Sequence, residues 1–182
     1  MKSLICAAGI ATLTISGSAT AAVYSVGGLL SQNCYQAALA QDARSSTIDG
    51  CTRALTEEGL FGPDRAATYI NRGILQMDAG RLNSADDDFD QALMIDAKLP
   101  DAWLNKGFLR LREGKGQEAL PLLQKGIDNG ARRQALAYFA RGVAYEQSGD
   151  YRSAYADLVK ARHMEPGWAL PAEWLAHYRV QR

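Results

Sequence analysis

Apolar positions from residue 66 onward recur at helical spacing and come in paired blocks. In residues 135–168, Leu136, Tyr138, Val143 and Tyr145 line the first half, and Ala154, Leu158 and Ala161 line the second. Spacings of three, four and seven are those of amphipathic helices. The pattern breaks in mid-block at Asp78-Ala-Gly80-Arg, at Glu113-Gly-Lys-Gly116 and at Ser148-Gly149-Asp150. These are helix stops followed by short turns, so each block predicts a helical hairpin.

The blocks also repeat one another. Tyr69-Ile-Asn-Arg-Gly73, Trp103-Leu-Asn-Lys-Gly107 and Tyr138-Phe-Ala-Arg-Gly142 stand 34 and then 35 residues apart. Each is followed by a small residue (Ala85, Ala119, Ala154) and then a larger apolar one (Phe89, Leu123, Leu158). The one extra residue falls in the turn region between Gly126 and Arg133, where a loop absorbs it. A small residue at each crossing lets two helices approach closely. One unit cannot bury its apolar face alone, so such units stack and leave a curved inner wall.

This pattern resembles the tetratricopeptide repeat. The third unit carries most of the likeness, with Tyr138, Gly142, Tyr145, Gly149-Asp150-Tyr151, Ala154, Leu158, Ala161 and Pro166. The first supplies Tyr69, Gly73, Gly80, Ala85, Phe89 and Ala92, and the second Trp103, Gly107, Gly114, Ala119 and Leu123. The resemblance implies an all-α, right-handed α-solenoid with repeats at 66–99, 100–134 and 135–168. Two departures stand out. Arg72, Lys106 and Arg141 replace the leucine that usually precedes the glycine, and are expected to lay their stems on the core with the charge in water. Pro121 and Gly126 make the second return helix the poorest helix former, with Pro121 expected to shift its start or bend it.

The flanks extend the stack. Ser31–Ala40 and Thr47–Leu55 read as a degenerate leading hairpin within residues 23–65, with Cys51 standing where Phe89 stands and Cys34 in the register of Arg72. Asp64 is expected to cap the first clear repeat. Pro171 is expected to open a final helix in residues 169–182, whose Trp174 covers the open end of the stack.

Residues 1–22 differ in kind. Lys2 is the only charge before Asp42, Leu4 to Gly17 is apolar and small, and Ala19-Thr-Ala21 has the spacing of a cleavage site. This reads as a secretory signal peptide cut near Ala21 or Ala22; the other reading is an uncleaved anchor, for which the stretch is short. Cleavage removes Cys6 and leaves Cys34 and Cys51, an even pair that suggests a disulfide in an exported protein. In a cytosolic setting both would be small buried thiols. Export points to a bacterial periplasm, with no stable membrane span after cleavage.

Composition narrows the function. The 182 residues carry 20 Lys plus Arg against 20 Asp plus Glu, so there is no basic field for nucleic acid. Asp86-Asp-Asp88 with Asp90 lacks the glycine and terminal glutamate of a calcium loop and reads as a solvated helix start. His163 and His177 are not at ligand spacing, and no metal or cofactor is expected. Adjacent Glu57 and Glu58 make a poor acid–base pair, and no phosphate loop or nucleophile elbow is present. The expectation is a binding module rather than an enzyme.

The family resemblance implies that a partner lies on the inner face. That face maps to Ile70, Asn71, Ile74, Leu104, Asn105, Phe108, Phe139 and Val143. It lacks the lysines with which some relatives grip acidic tails. Its apolar character suits a protein or peptide segment, with Asn71 and Asn105 pairing to the backbone of that segment. The competing possibility is that the chain's own leading hairpin, or a second copy, covers this wall. Two other classes stay open: a structural subunit of an envelope assembly, and an enzyme whose site is scattered along the sequence.

Overall fold

The computed structural model describes residues 4–6, 21–25 and 27–180, with backbone alone for 4–6, 179 and 180. The expected leader therefore lies mostly outside the described residues, Ala19 and Thr20 included. Four helical hairpins follow one another. The leading one is α1 (Leu29–Ala40) and α2 (Ser45–Glu57). Then come α3 (Gly62–Asp78) with α4 (Leu82–Ile95), α5 (Pro100–Arg112) with α6 (Gly116–Asp128), and α7 (Gln134–Gln147) with α8 (Tyr151–Met164). A short α9 (Ala169–Leu175) packs on α8. Helices α3, α5 and α7 neighbour one another and form the inner wall of an α-solenoid. Beyond the expected all-α plan, two three-residue strands, β1 (Leu4–Cys6) and β2 (Tyr178–Val180), pair antiparallel.

The mid-hairpin breaks stand where the sequence puts them. Gly80, Gly114 and Gly149 take φ of 75, 73 and 81°, a left-handed conformation that costs glycine little. Each lets the next residue's N–H reach back to close the helix: Arg81 to Gln76, Lys115 to Arg110 and Asp150 to Tyr145. The loop before α5 is 96–99 and that before α7 is 129–133, one residue longer. That is the extra residue in the repeat.

The crossing glycines set the hairpin spacing. A Cβ on Gly73 would lie 2.6 Å from the Phe89 ring, one on Gly107 2.5 Å from Leu123, and one on Gly142 3.1 Å from Leu158. Gly126 belongs to the same design rather than being a weak point, since a Cβ there would lie 2.5 Å from Leu104. Pro121 sits inside α6 and does not move its start, which is Gly116.

Two boundary expectations are corrected. Helix α3 begins at Gly62 with Pro63 in its first turn, so Asp64 is a first-turn carboxylate and not the cap. Helix α9 begins at Ala169, so Pro171 lies in its first turn rather than opening it. A proline is tolerated in a first turn because the N–H it lacks would have no helical partner there. In the leading hairpin Cys34 and Cys51 form a disulfide across α1 and α2. Closing a loop of 17 residues stabilises by about 3 kcal/mol on the chain-entropy account.

The recurrent cations do not keep their charge in water. Arg72 makes a two-pronged pair with Asp88 at 2.9 and 2.6 Å, and Arg141 does the same with Asp157 at 2.7 and 2.9 Å. Lys106 holds Asp86 and Asp90 at 2.8 and 2.6 Å. The expected solvated acidic helix start is thus corrected as well. These aspartates lie inside α4, and Asp88 is buried. Burial pushes the Asp88 carboxyl above its ordinary value, and the hydrogen bonds from Arg72 and Gln76 offset only part of that. At Asp86 burial works the same way, but Lys106 and Arg110 outweigh it and hold the carboxyl below its ordinary value.

Candidate functional site: the concave face

All eight inner-wall residues lie on helices that face the same side. Ile70, Asn71 and Ile74 come from α3, Leu104, Asn105 and Phe108 from α5, and Phe139 and Val143 from α7. Asn71 and Asn105 occupy equivalent places one repeat apart, while the third repeat has Ala140 there. The fold brings the eight together as the repeat register implies.

Their exposure departs from the expectation of an open, greasy wall. Every one of the eight, from Ile70 to Val143, is buried, the most accessible being Phe108 at 3%. The cover comes in part from the chain itself. Val23 N–H donates to Asn71 Oδ1 at 2.9 Å, and Asn71 Nδ2 donates back to the Val23 carbonyl at 2.7 Å. Ala21 N–H donates to Asn105 Oδ1 at 3.4 Å, and Asn105 Nδ2 donates to the Ala21 carbonyl at 3.2 Å. Residues two apart in sequence thus meet amides one repeat apart, and alternate positions face one side as in extended chain. Ser25 continues the alternation and donates to Asp64 Oδ1 at 3.3 Å, while Tyr24 points outward and packs on Tyr35.

The geometry explains why asparagine stands at these places. A carboxamide offers one acceptor and two donors, so it satisfies both groups of a single peptide residue. An aspartate could only accept. Asn105 spends its other N–H on the Asp101 carbonyl at 2.8 Å, which fixes its orientation. Burial raises the Asp101 carboxyl above its ordinary value, and Arg132 at 3.4 Å offsets only part of that.

The far end of the wall is covered differently. Phe139 packs against Trp168 and Trp174, with ring centroids at 5.0 and 5.5 Å. Trp174 Nε1 and the Tyr178 hydroxyl both donate to Glu146, at 2.8 and 2.5 Å. Trp174 is therefore more than a lid on the end of the stack, since it also reaches into the inner face. Sequence reasoning missed residues 21–25 as occupants of the wall. The available signal was weak: small or β-branched Ala21, Val23 and Ser25 alternate beside a leader whose composition masks them.

At the other end of the chain, Glu58 closes the leading hairpin. Its carboxylate accepts from Leu30 and Ser31 N–H at 2.6 and 3.0 Å, capping α1 from the end of α2. Among the described residues no group of His, Cys, Asp and Glu is placed to hold a metal ion, and no helix is long and apolar enough to cross a membrane.

Comparison with known proteins agrees with this geometry. The profile described as "Tetratricopeptide repeat" matches residues 66–99 and 135–161. A protein named cellulose synthase operon protein C, from Xanthomonas axonopodis pv. citri (strain 306), is 30% identical over 141 residues, 75% of this chain. The chain spans only 9% of that relative's length. Among solved structures, a crystal structure of MamA superposes with a TM-score of 0.63 at 20% identity, covering 78% of this chain and 80% of that one. MamA from Desulfovibrio magneticus RS-1 gives 0.62 at 22% identity, covering 81% and 82%. With three glycine-crossed hairpins in register, two of them matched by the repeat profile, the chain belongs to the tetratricopeptide-repeat family.

Proposed function

We propose that the concave face is a groove for an extended protein segment, read mainly through its backbone. Solenoids of this family act in general as protein-interaction scaffolds. The observation that supports the finer reading is the pairing of Asn71 and Asn105 with the main chain of Val23 and Ala21. A groove that satisfies both backbone groups of every second residue places little demand on side-chain identity, beyond small or β-branched groups facing the wall. Ile70, Ile74, Leu104, Phe108, Phe139 and Val143 would supply the apolar floor. Export to a periplasm fits a disulfide between Cys34 and Cys51, which an oxidising compartment sustains.

The test uses the full chain. A tethered segment acts at an effective concentration on the order of mM, so a free peptide competes poorly with it. Val23→Pro removes the N–H that Asn71 accepts and should loosen the tether. A synthetic Ala-Ala-Val-Tyr-Ser peptide should then shift the Asn71 and Asn105 side-chain amide signals by nuclear magnetic resonance. The further change Asn71→Ala should reduce binding about tenfold. Unmoved amides at saturating peptide would remove the groove assignment.

A second reading is a fixed subunit of an envelope assembly whose inner wall stays permanently filled. It is favoured by the wall being covered already and by a relative named for a cellulose synthase operon. Co-purification at fixed ratio, resistant to the competing peptide, would select it.

A further inference from the structure

The first helix of the stack differs from the others in charge. Among the described helices, α1 alone carries no Asp, Glu, Lys or Arg. It buries Ser31, Cys34, Ala37 and Ala38 on the side that meets α2 and α3, and turns its opposite face to solvent. On that face Leu29 and Leu39 are 71 and 53% exposed. Tyr35 stands one turn from Leu39, and Tyr24, 57% exposed, packs on it at 5.3 Å. Exposed apolar side chains grouped in this way mark a contact surface. We propose that this face joins two copies of the chain about a twofold axis, with the two α1 helices antiparallel. The contact is separate from the groove reading, which concerns α3, α5 and α7.

The order of the residues favours a second copy over an unlike partner. Leu29, Gln32, Gln36 and Leu39 follow at intervals of three, four and three. That is the spacing of a helix seam, and the series reads the same in both directions. Antiparallel pairing therefore sets Leu29 opposite Leu39 of the second copy, and Gln32 opposite its Gln36. A carboxamide both donates and accepts, so two glutamines are complementary to each other. Gln32 Nε2 already donates to the Gly27 carbonyl at 3.1 Å, so its Oε1 is the acceptor offered to the facing Gln36 amide. A twofold contact sets one surface against itself, and a face without charge meets its own copy without like-charge repulsion. Antiparallel helices also bring opposite dipole ends together.

The seat is held firmly, and the contact is small. The Cys34–Cys51 disulfide ties α1 to α2, and Glu58 accepts from Leu30 and Ser31 N–H at the start of α1. Pairing therefore orders little backbone. Leu29 and Leu39 stand ten residues apart, about 15 Å along the helix. Two helices of that length bury less than the roughly 1,200 Å² of a stable complex. Polar residues in the middle of a seam fix its register at a cost in strength. The dimer is accordingly weak and depends on concentration.

The experiment is sedimentation equilibrium of the oxidised full chain over a concentration series. The unaltered chain should dimerise with a dissociation constant on the order of 0.1 mM, as suits so small an interface. Gln32→Glu with Gln36→Glu sets carboxylate against carboxylate and should weaken the dimer about tenfold or more. Gln32→Glu with Gln36→Lys sets each new carboxylate against the new ammonium of the other copy and should hold the original affinity or exceed it. Parallel helices would set like against like there and predict a loss. Mixing the doubly acidic variant with Gln32→Lys, Gln36→Lys should restore dimers that neither forms alone. Both positions are exposed, and the two variants that share Gln32→Glu lose the same Gly27 contact, so that loss cancels between them. A chain that stays monomeric at millimolar concentration would overturn the proposal, as would association indifferent to the charges at 32 and 36. A Glu–Lys pair as weak as the doubly acidic one would overturn the antiparallel arrangement.

Discussion

In the first and third repeats the cation before the crossing glycine pairs with a carboxylate of its own hairpin and also donates to Thr52 or Gln124 of the hairpin before it. In the second, by contrast, both carboxylates belong to the hairpin before it. Arg72 and Arg141 each reach an aspartate sixteen residues on, Asp88 and Asp157. The equivalent place in the second repeat is Leu122, and there Lys106 turns back to Asp86 and Asp90 of α4. A guanidinium suits the paired geometry of one carboxylate, while a compact ammonium on a flexible stem can serve two. The ion pairs thus brace the two outer repeats from within and the middle one sideways, while neutral hydrogen bonds to Thr52 and Gln124 tie the outer cations sideways as well. The repeat profile matches the first and third units, the two that share this brace.

Breaking the brace should separate the two kinds of repeat. Arg72→Met leaves Asp88 buried beside Gln76 without its cation, at a cost of about 3 kcal/mol near neutral pH. Burial already raises Asp88, and losing Arg72 raises it further. Between the ordinary carboxylate value and the raised one, the folded state binds more protons than the unfolded chain, so stability rises as pH falls. The deficit of the variant should therefore shrink as pH is lowered from 7 toward about 4, the ordinary carboxylate range. Urea midpoints across that range check it; a deficit that grows in acid would contradict the buried-pair account.

The next contrast sets the second repeat against the third. Gly107→Ala forces a methyl to within 2.5 Å of Leu123, but Gly142→Ala places its methyl 3.1 Å from Leu158. Overpacking of the first kind costs about 1–3 kcal/mol. In the second, the small displacement is offset by alanine's helix preference of about 1 kcal/mol. Thermal midpoints should fall clearly for the first and stay nearly unchanged for the second.

The smallest effect is expected from Lys106→Met, about 1 kcal/mol, since its partner Asp90 is half exposed and Asp86 keeps Arg110. A loss as large as that of Arg72→Met would mean that the sideways brace equals the internal one.

How far the sequence could be read varied with the range of the interaction. The hairpin turns were legible because glycine followed by a polar residue ends a helix locally, as at Gly80, Gly114 and Gly149. The Cys34–Cys51 pairing was legible through the repeat register. The helices that carry the eight wall residues were legible, since period and repeat together assign each to the first helix of its hairpin. The state of that wall was not legible. Asn71 and Asn105 announced a backbone partner by type and spacing, but nothing local said that Ala21 and Val23 would be that partner, 84 and 48 residues away. The ion pairs were missed for the same reason: sixteen-residue spacings between Arg and Asp mean nothing until two helices lie side by side.

The sequence by itself determined the helix period, the stops, the crossing glycines and hence a stack of hairpins, because each depends on backbone preferences and on neighbours three or four residues away. The tertiary structure alone decided where the charges on Arg72, Lys106 and Arg141 go and what fills the inner wall. Those outcomes depend on which groups are desolvated together, and desolvation is a property of the assembled surfaces rather than of any stretch of chain.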